Sequence, residues 1–555
     1  MKYYVLLFSF IIIQFPLFSQ VETIPADNYI YDFLKELSVK GVISKYDDMV
    51  LPLSKKKIVN ILNEAGNKEQ LLSDNEKAEL EKFKIKLDIE KSNDTVNITD
   101  IFPGKIGSFF KENRARYLYS YKDSSLKLYT NPILEDDFIY SKNEHGTSNL
   151  LNFGLKMYGS YSDWLGFYAS VSNGYQSGNR TIAELDQNVN QSFSFNNTKI
   201  NFFDYTQGYT RIEKGNIGLE IGREKILWGR GINKLIISGN APVFDFLRLN
   251  AEFGILSIDY LHGWLVQPSY FTFDQTTSTY IPNKDPKYIV ISRIGLNPSN
   301  NISFGITQSI IYANRPLELA YLNPLLFLES AQRSLNDLDN SFLAFDIRSK
   351  IINGLELSSI IDFDDIDIKS ISTDGFGSLM TRYGWETNII LTNPILPENL
   401  VINMDYLILR PYLFSHQGFG ESLMYTNNGF LIGPNVQPNS IKISFRANYI
   451  INKDLIFRAS YDNIRHGDNS YDQDGNVINN VGGNVMDYIK PGGNKKTTIL
   501  DGIYEVTNQL SVSLEYELII GFYLSCQYDF IHVRNEVSGS KDGNNIWGVF
   551  RYNIL

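Results

Sequence analysis

One cysteine, Cys526, stands in 555 residues. It leaves no partner for an internal disulfide and no cysteine set for a structural zinc site. Histidines number 5, at 145, 262, 416, 466 and 532. They are too few and too scattered for a multi-histidine metal centre. No His-Glu-x-x-His and no Gly-x-Ser-x-Gly occurs, so the common zinc-hydrolase helix and the nucleophile elbow are absent. Basic residues are in deficit: 51 Lys and Arg face 62 Asp and Glu, a formal charge of −11 with a pI near 5.2. Binding a phosphate polymer needs a basic face, so nucleic acid is not an expected partner. Past the N-terminus no apolar run approaches the roughly 20 residues of a spanning helix. A mean hydropathy of −0.19 is too polar for a helical membrane bundle. Tyr and Phe, by contrast, number 35 each and Gly 40, with aromatics at 14%, too many for a disordered chain. If this chain enters a membrane, it must do so as a closed barrel.

The first 19 residues carry Lys2, an apolar run from Val5 to Phe18, and Ser19 before the polar Gln20. A charged start, an apolar stretch and a small residue before a polar start predict a secretory leader cleaved near Ser19. The run is interrupted by Gln14 and Pro16 and is too short for a membrane anchor. No cysteine follows, which argues against a lipid anchor. Removal of the leader takes Lys2 with it and leaves 50 basic against 62 acidic residues, a charge of −12.

Residues 27–90 read as helices. Asp27 or Asn28 can cap a first helix whose Ile30, Phe33, Leu34 and Leu37 share a face, with Gly41 as its stop. Ser54 can cap a second. Ser73 followed by Glu76 fits a capping box opening a third, with Leu80, Phe83 and Leu87 at helical spacing. A polar linker with Pro103-Gly104 follows over 91–113. The expected organisation is a leader 1–19, a periplasmic helical region and linker 20–113, and a barrel 114–555.

After residue 125 the period changes to two. Leu510, Val512, Leu514, Tyr516 and Leu518 alternate with Ser511, Ser513, Glu515 and Glu517. Ile441, Ile443, Phe445, Ala447 and Tyr449 alternate with Lys442, Ser444, Arg446 and Asn448. Such dyads predict strands with one apolar and one polar face. Eighteen fit between 126 and 554, with 115–121 as an approach to the first strand or an extension of it. Short connections, such as 162–164, 214–216, 350–354 and 519–521, alternate with long ones near 131–152, 174–199, 228–245, 265–287, 312–341, 363–382, 410–440, 463–509 and 532–545. Short turns on one side and long loops on the other mark an outer-membrane barrel, and an even count returns both ends to the periplasm. A soluble β-protein would instead pack large apolar groups inward, whereas these polar faces carry Ser, Gly, Glu, Asp and Arg. The fold expected is therefore an all-β antiparallel transmembrane barrel of about 18 strands with a small helical region before it. The terminal Leu555 departs from the aromatic end common in exported barrels, although Phe550 and Tyr552 lie near.

Several segments resemble the Wzi family of capsule-assembly outer-membrane proteins, in its Bacteroidetes-like branch. They are Ile226-Leu227-Trp228-Gly229-Arg230-Gly231, Ser238-Gly239-Asn240-Ala241-Pro242, Phe244 to Leu249, Tyr260-Leu261-His262-Gly263-Trp264-Leu265, Arg315-Pro316-Leu317-Glu318 and Tyr321-Leu322-Asn323-Pro324-Leu325. Tyr31-Asp32-Phe33-Leu34 in the helical region also fits. The resemblance implies an 18-stranded barrel with a periplasmic helical part and a role in tethering surface polysaccharide. It carries over no sugar-binding residue position by position.

Trp228, Arg230, Trp264 and Arg315 are the candidate glycan contacts. Gly229 and Gly231 free the backbone for a tight bend where a strand meets a long loop. Trp228 either stacks on a sugar or sits in the interfacial aromatic belt; Arg230 meets an acidic sugar or lumen carboxylates. The segment 321–333, apolar and aperiodic, is expected to fold inward or to form a short helix on an external loop, narrowing the pore. Asp472, Asp474 and Gly475 superficially suit a calcium loop, but an EF-hand register puts Val481 where the bidentate Glu belongs. Asp362, Asp364, Asp365 and Asp367 read as a wet loop rim. No cofactor is expected beyond calcium in such a loop. The function expected is non-enzymatic: binding or organising exported polysaccharide, with membrane lipid and polysaccharide-export machinery as further partners. The alternative is a porin-like diffusion channel, and lumen occupancy separates the two. The acidic net charge further predicts that the glycan is neutral or that divalent cations strengthen its binding.

Overall fold

The computed structural model describes residues 20–88, 96–97, 116–191, 202–267, 271–274, 276, 278–282, 285–365, 382–416, 420–487 and 497–553. The expected leader 1–19, the expected linker apart from 96–97, and Asp367 lie outside the described residues. Three helices open the chain: α1 (Ile30–Lys40), α2 (Lys55–Gly66) and α3 (Asp74–Lys86). Gly41 stops α1 in the left-handed region at φ 89°, where glycine bears no Cβ penalty. The Asn28 side chain accepts the Ile30 N–H at 3.0 Å. Ser54 precedes α2 without a side-chain cap bond. Ser73 and Glu76 form the capping box in both directions: Ser73 Oγ accepts the Glu76 N–H at 3.2 Å, and Glu76 Oε2 accepts the Ser73 N–H at 2.5 Å.

The barrel strands are β1 (Leu126–Ser141), β2 (Gly146–Tyr161), β3 (Leu165–Gly178), β4 (Phe202–Lys214), β5 (Ile217–Arg223), β6 (Asp245–Phe253), β7 (Leu256–Leu265), β8 (Lys287–Leu296) and β9 (Ile302–Ala313). They continue as β10 (Asn340–Ile352), β11 (Leu355–Asp365), β12 (Arg382–Leu391), β13 (Leu400–Leu409), β14 (Ser440–Asn452), β15 (Leu455–Asp468), β16 (Ile503–Ile519), β17 (Phe522–Asn535) and β18 (Gly539–Tyr552). Each pairs antiparallel with its neighbours, and β18 closes on β1 from Asn545 opposite Ser141 to Tyr552 opposite Leu134. The short segment Tyr119–Lys122 pairs with Lys127–Thr130 of β1. It extends that edge and leaves the closed count at 18.

The period-two dyads separate the barrel faces. Leu510, Leu514, Tyr516 and Leu518 are exposed on the outside, while Glu517 is buried inside. An apolar outer band on strands whose backbone groups are all paired is what a bilayer demands. No helix among the described residues is long and apolar enough to cross a membrane.

Three expected loops differ. β1 runs on through Glu135-Asp136-Asp137 to Ser141, and β2 begins at Gly146. The region 131–152 is therefore a long hairpin, because ladder bonds to β2 and β18 hold residues whose side chains broke the apolar pattern. Likewise 532–545 is two strand ends joined by a turn at 536–538. β11 extends to Asp365, so Asp362 is buried on the inner face and Asp364 accepts the Phe414 N–H at 2.8 Å; neither forms a loop rim.

The helical region caps the short-turn end. Val39 O accepts the Gly354 N–H at 2.9 Å, and Ser73 Oγ bonds Asn399 Oδ1 at 2.8 Å. Lys82 and Lys86 pair with Glu517 at 3.1 and 2.8 Å. Three turn regions around the rim thus hold one helical cap. Its apolar faces pack with Tyr129, Tyr158 and Tyr552 of the barrel in a single cluster.

Candidate functional site: a plugged lumen with a polar half

The chain between β5 and β6 turns into the barrel. Leu227–Trp228 pairs with Val50–Leu51 of the helical region, and Trp228 also bridges to Ile237. Gly229, at φ 144°, and Gly231, at φ 71°, make the bend. A Cβ on Gly231 would lie 2.5 Å from carboxylate oxygens of both Glu386 and Asp405. The backbone passes so close because those carboxylates receive it: Asn233 N donates to Glu386 at 2.7 Å and Ile232 N to Asp405 at 3.2 Å. Beyond them Leu235, Ile236 and Ile237 pack on Ile289, Ile291, Ile311 and Leu407 of the wall and on Leu413, Phe414, Tyr425 and Ile432 of the loop before β14. This apolar plug fills the lumen beside β7 to β13.

Arg230 ties the plug to both the wall and the cap. Its Nη2 meets Asp346 of β10 at 2.9 Å, its Nη1 pairs with Asp47, and Arg293 of β8 meets the same Asp346 at 3.0 Å. Burial works against the charge on Arg230, but Asp47 and Asp346 outweigh it and hold the guanidinium above its ordinary value. Burial likewise opposes ionisation of Asp47, yet Arg230, Arg348 and Arg293 hold its carboxyl well below the usual carboxylate range. Both groups therefore stay charged at neutral pH.

The other side of the lumen, beneath the cap, is lined by polar groups of the described residues. Three adjoining cavities of about 420, 410 and 350 Å³ meet at Asp27. Asn388, Asn403, Arg446, Asn448 and Arg458 line the side toward β12–β15. Asn152, Tyr168, Ser170, Asn188, Tyr205 and Gln207 line the side toward β2–β4. Two arginines here are matched: Arg446 forms a fork with Asp462 at 2.8 Å, and Arg458 pairs with Glu515 at 3.1 Å. Amides, hydroxyls, tyrosine rings and balanced charges make a surface able to bond hydroxyl-rich solutes.

The candidate residues fall elsewhere. Trp228 is fully buried in the plug, with no face open to a sugar and no place in an interfacial belt. Arg230 meets lumen carboxylates. Trp264 is 38% exposed on the outer face, ring-edge to His262 at 4.8 Å. Arg315 forms a fork with Asp339 at 2.7 and 2.6 Å on the loop between β9 and β10. These four do not converge on one site. Asp472 accepts N–H bonds from Asp474 and Asn476 at 2.9 and 2.8 Å, which closes its own turn, with Gly475 at φ 82°. Among the described residues no group of three His, Cys, Asp or Glu side chains is placed to hold a metal. The cavity residues went unnamed from sequence. Their signal was present in the polar dyad positions Arg446 and Asn448.

The family model described as capsule assembly protein Wzi matches residues 139–355. The solved structure of Wzi, an outer-membrane protein involved in group 1 capsule assembly in Escherichia coli and described as a carbohydrate-binding β-barrel, is similar at TM-score 0.56 and 11% identity, covering 95% of this chain and 98% of that one. OccK1 (OpdK) of Pseudomonas aeruginosa is similar at TM-score 0.42 and 10% identity, covering 77% and 98%. No curated protein sequence matches. Residues 139–355 are thus similar to the family of the capsule assembly protein Wzi, and the chain shares the barrel fold of the Escherichia coli protein over 95% of its length.

Proposed function

We propose that this protein is a non-catalytic outer-membrane barrel that binds surface polysaccharide and holds it during capsule assembly. The polar half-lumen carries this reading: it offers amide and hydroxyl partners and tyrosine rings, beside a plug that obstructs a diffusion path. Amides and carboxylates bond sugar hydroxyls, and aromatic faces stack on sugar C–H surfaces. Many weak contacts to a repeating polymer then add through multivalency. The cap and both chain ends would face the periplasm, and the long loops the exterior, where export machinery delivers the polymer.

Because Arg446 and Arg458 are paired with carboxylates, the site suits a neutral glycan, or an acidic one bridged by Ca²⁺ or Mg²⁺, with loop carboxylates such as Asp472 and Asp474 as candidate bridging groups. An unbridged acidic polymer would meet net repulsion across a Debye length of about 8 Å at physiological salt. Two measurements test the proposal. Deleting the gene should leave polysaccharide synthesised but shed into the medium; unchanged cell-bound polymer would refute tethering. Purified protein should bind the native polysaccharide either independently of chelator or more weakly with it. Tight binding to an acidic polymer in chelator, lost steeply with salt, would refute the charge argument.

A further inference from the structure

The loop between β9 and β10 folds against the outside of the barrel, not into its lumen. On β8 the residues Lys287, Ile289 and Ile291 face the plug, so Tyr288, Val290, Ser292, Ile294 and Leu296 face outward. Ser292 Oγ donates to Pro324 O at 2.6 Å. On β9 the outward Gln308 donates to Leu326 O at 2.7 Å and accepts the Leu328 N–H at 2.8 Å. The outward Tyr260 of β7 donates to Tyr321 O at 2.8 Å. Tyr321, Leu328 and Ala331 pack on Tyr288, Val290, Ile310 and Tyr312. The expected inward fold of 321–333 is therefore reversed. The expected short helix is present, as α4 (Leu328–Leu335).

We propose that residues 314–339 form an apron embedded in the membrane, whose tip at Leu325 and Phe327 touches lipid acyl chains. Depth is the first argument. β8 has 10 residues, about the 9–11 needed to span a bilayer. Ser292 lies five residues below its long-loop end, about 16 Å along the strand at roughly 3.3 Å per residue. The tip therefore reaches the middle of the spanning segment. Continuity is the second. Leu325 is 67% and Phe327 49% exposed, beside the outward Ile294 and Ile306 of the lipid band, at 45% and 52%.

Polar satisfaction is the third argument. Unpaired backbone groups in hydrocarbon cost several kcal/mol each. The outward-facing Ser292, Gln308 and Tyr260 are misfits on a lipid-facing wall unless they serve the carbonyls and N–H groups of the apron. Both ends of the apron stay at the long-loop rim: the Arg315–Asp339 fork joins them, and Glu329 of α4 accepts from Ser341, the second residue of β10.

The test uses full-length protein in liposomes with Cys526→Ala and one spin-labelled cysteine. At Leu325→Cys, collisions with oxygen should match those at Ile306→Cys on the lipid band. The oxygen-to-nickel-chelate collision ratio should stand several-fold above that at the loop position Asp474→Cys. Nickel access equal to Asp474→Cys would place the tip in water and overturn the proposal. Shielding from both reagents would show a protein partner such as a second copy and would equally overturn it. Heat-modifiable gel mobility confirms folding; if Leu325→Cys fails to fold, Phe327→Cys reads the same depth with the same outcomes.

Discussion

Replacing Arg230 with Ala should loosen the plug. Its guanidinium has 1% of its side-chain surface exposed and meets Asp346, itself 2% exposed, at 2.9 Å. Breaking a buried pair by removing one partner typically costs about 3–5 kcal/mol, because the other charge is left uncompensated. Arg293 continues to hold Asp346 at 3.0 Å, and Asp47 keeps 19% of its side-chain surface in water. The lower end, about 3 kcal/mol, is therefore expected. At about 1.4 kcal/mol per tenfold, that raises the population of plug-displaced barrels about a hundredfold. The assay is conductance in planar bilayers: rare openings in the parent protein should become frequent in Arg230→Ala. Protease cleavage within 224–244 should rise in parallel. Arg230→Lys should fall between, since an ammonium cannot form the fork that meets two carboxylates at once. Arg333→Ala, on an exposed outer helix, should change nothing. Arg230→Ala with the conductance and cleavage of the parent would refute the view that this ion pair anchors the plug.

Ser73→Ala removes the cap of α3 and its bond to Asn399. It should cost about 1 kcal/mol, read as faster hydrogen exchange of the first α3 amides, with α1 amides unchanged. Burial, and then Glu76, push the Glu36 carboxyl up from 4.5 to about 8. The folded cap then binds that proton more tightly than the unfolded chain between these values. Its stability should fall as pH rises through this window. Exchange in α1, corrected for its intrinsic pH dependence, should quicken from about pH 5 to about pH 8, and Glu36→Gln should flatten the slope.

The closed wall was legible because its code is local: a period of two and a glycine or asparagine at a turn survive without knowledge of partners. Each of the eighteen strands overlaps the span that alternation placed, although β1, β2, β17 and β18 run on into expected loops. The Ser73–Glu76 box and the Gly41 stop were legible for the same reason. What failed was the direction of chain that lacks a period. Trp228 and the segment 321–333 are both apolar and aperiodic; sequence left Trp228 between a sugar stack and an interfacial belt, and 321–333 between an inward fold and a short helix on an external loop, of which only the helix is present. One became the heart of the plug and the other an outer apron. The cue was available in the wall. Ser292, Gln308 and His262 are polar residues on the outward parity of β7 to β9, and a lipid-facing wall does not keep such groups without a cover. Asp362 and Asp364 misled for a related reason, since clustered carboxylates suggest solvent, yet a barrel interior accommodates them.

The cap and the plug act as one body because their link is made of backbone as well as charge. Gly229 N donates to Met49 O at 2.9 Å, Val50–Leu51 pairs with Leu227–Trp228, and Arg230 joins Asp47 two residues before Met49. The plug cannot leave the wall without breaking these bonds or dragging the segment 47–51 with it. That segment is in turn fixed by Lys35, which meets Asp48 at 3.0 Å and Glu356 of β11 at 2.5 Å. The plug is therefore tied to the short-turn end of the wall through the cap, which the buried pairs of Lys82 and Lys86 with Glu517 also hold. On the long-loop side Leu235 and Ile237 pack on Leu413, Phe414 and Ile432, and Asp364, which meets Arg382 at 3.4 Å, accepts the Phe414 N–H at 2.8 Å.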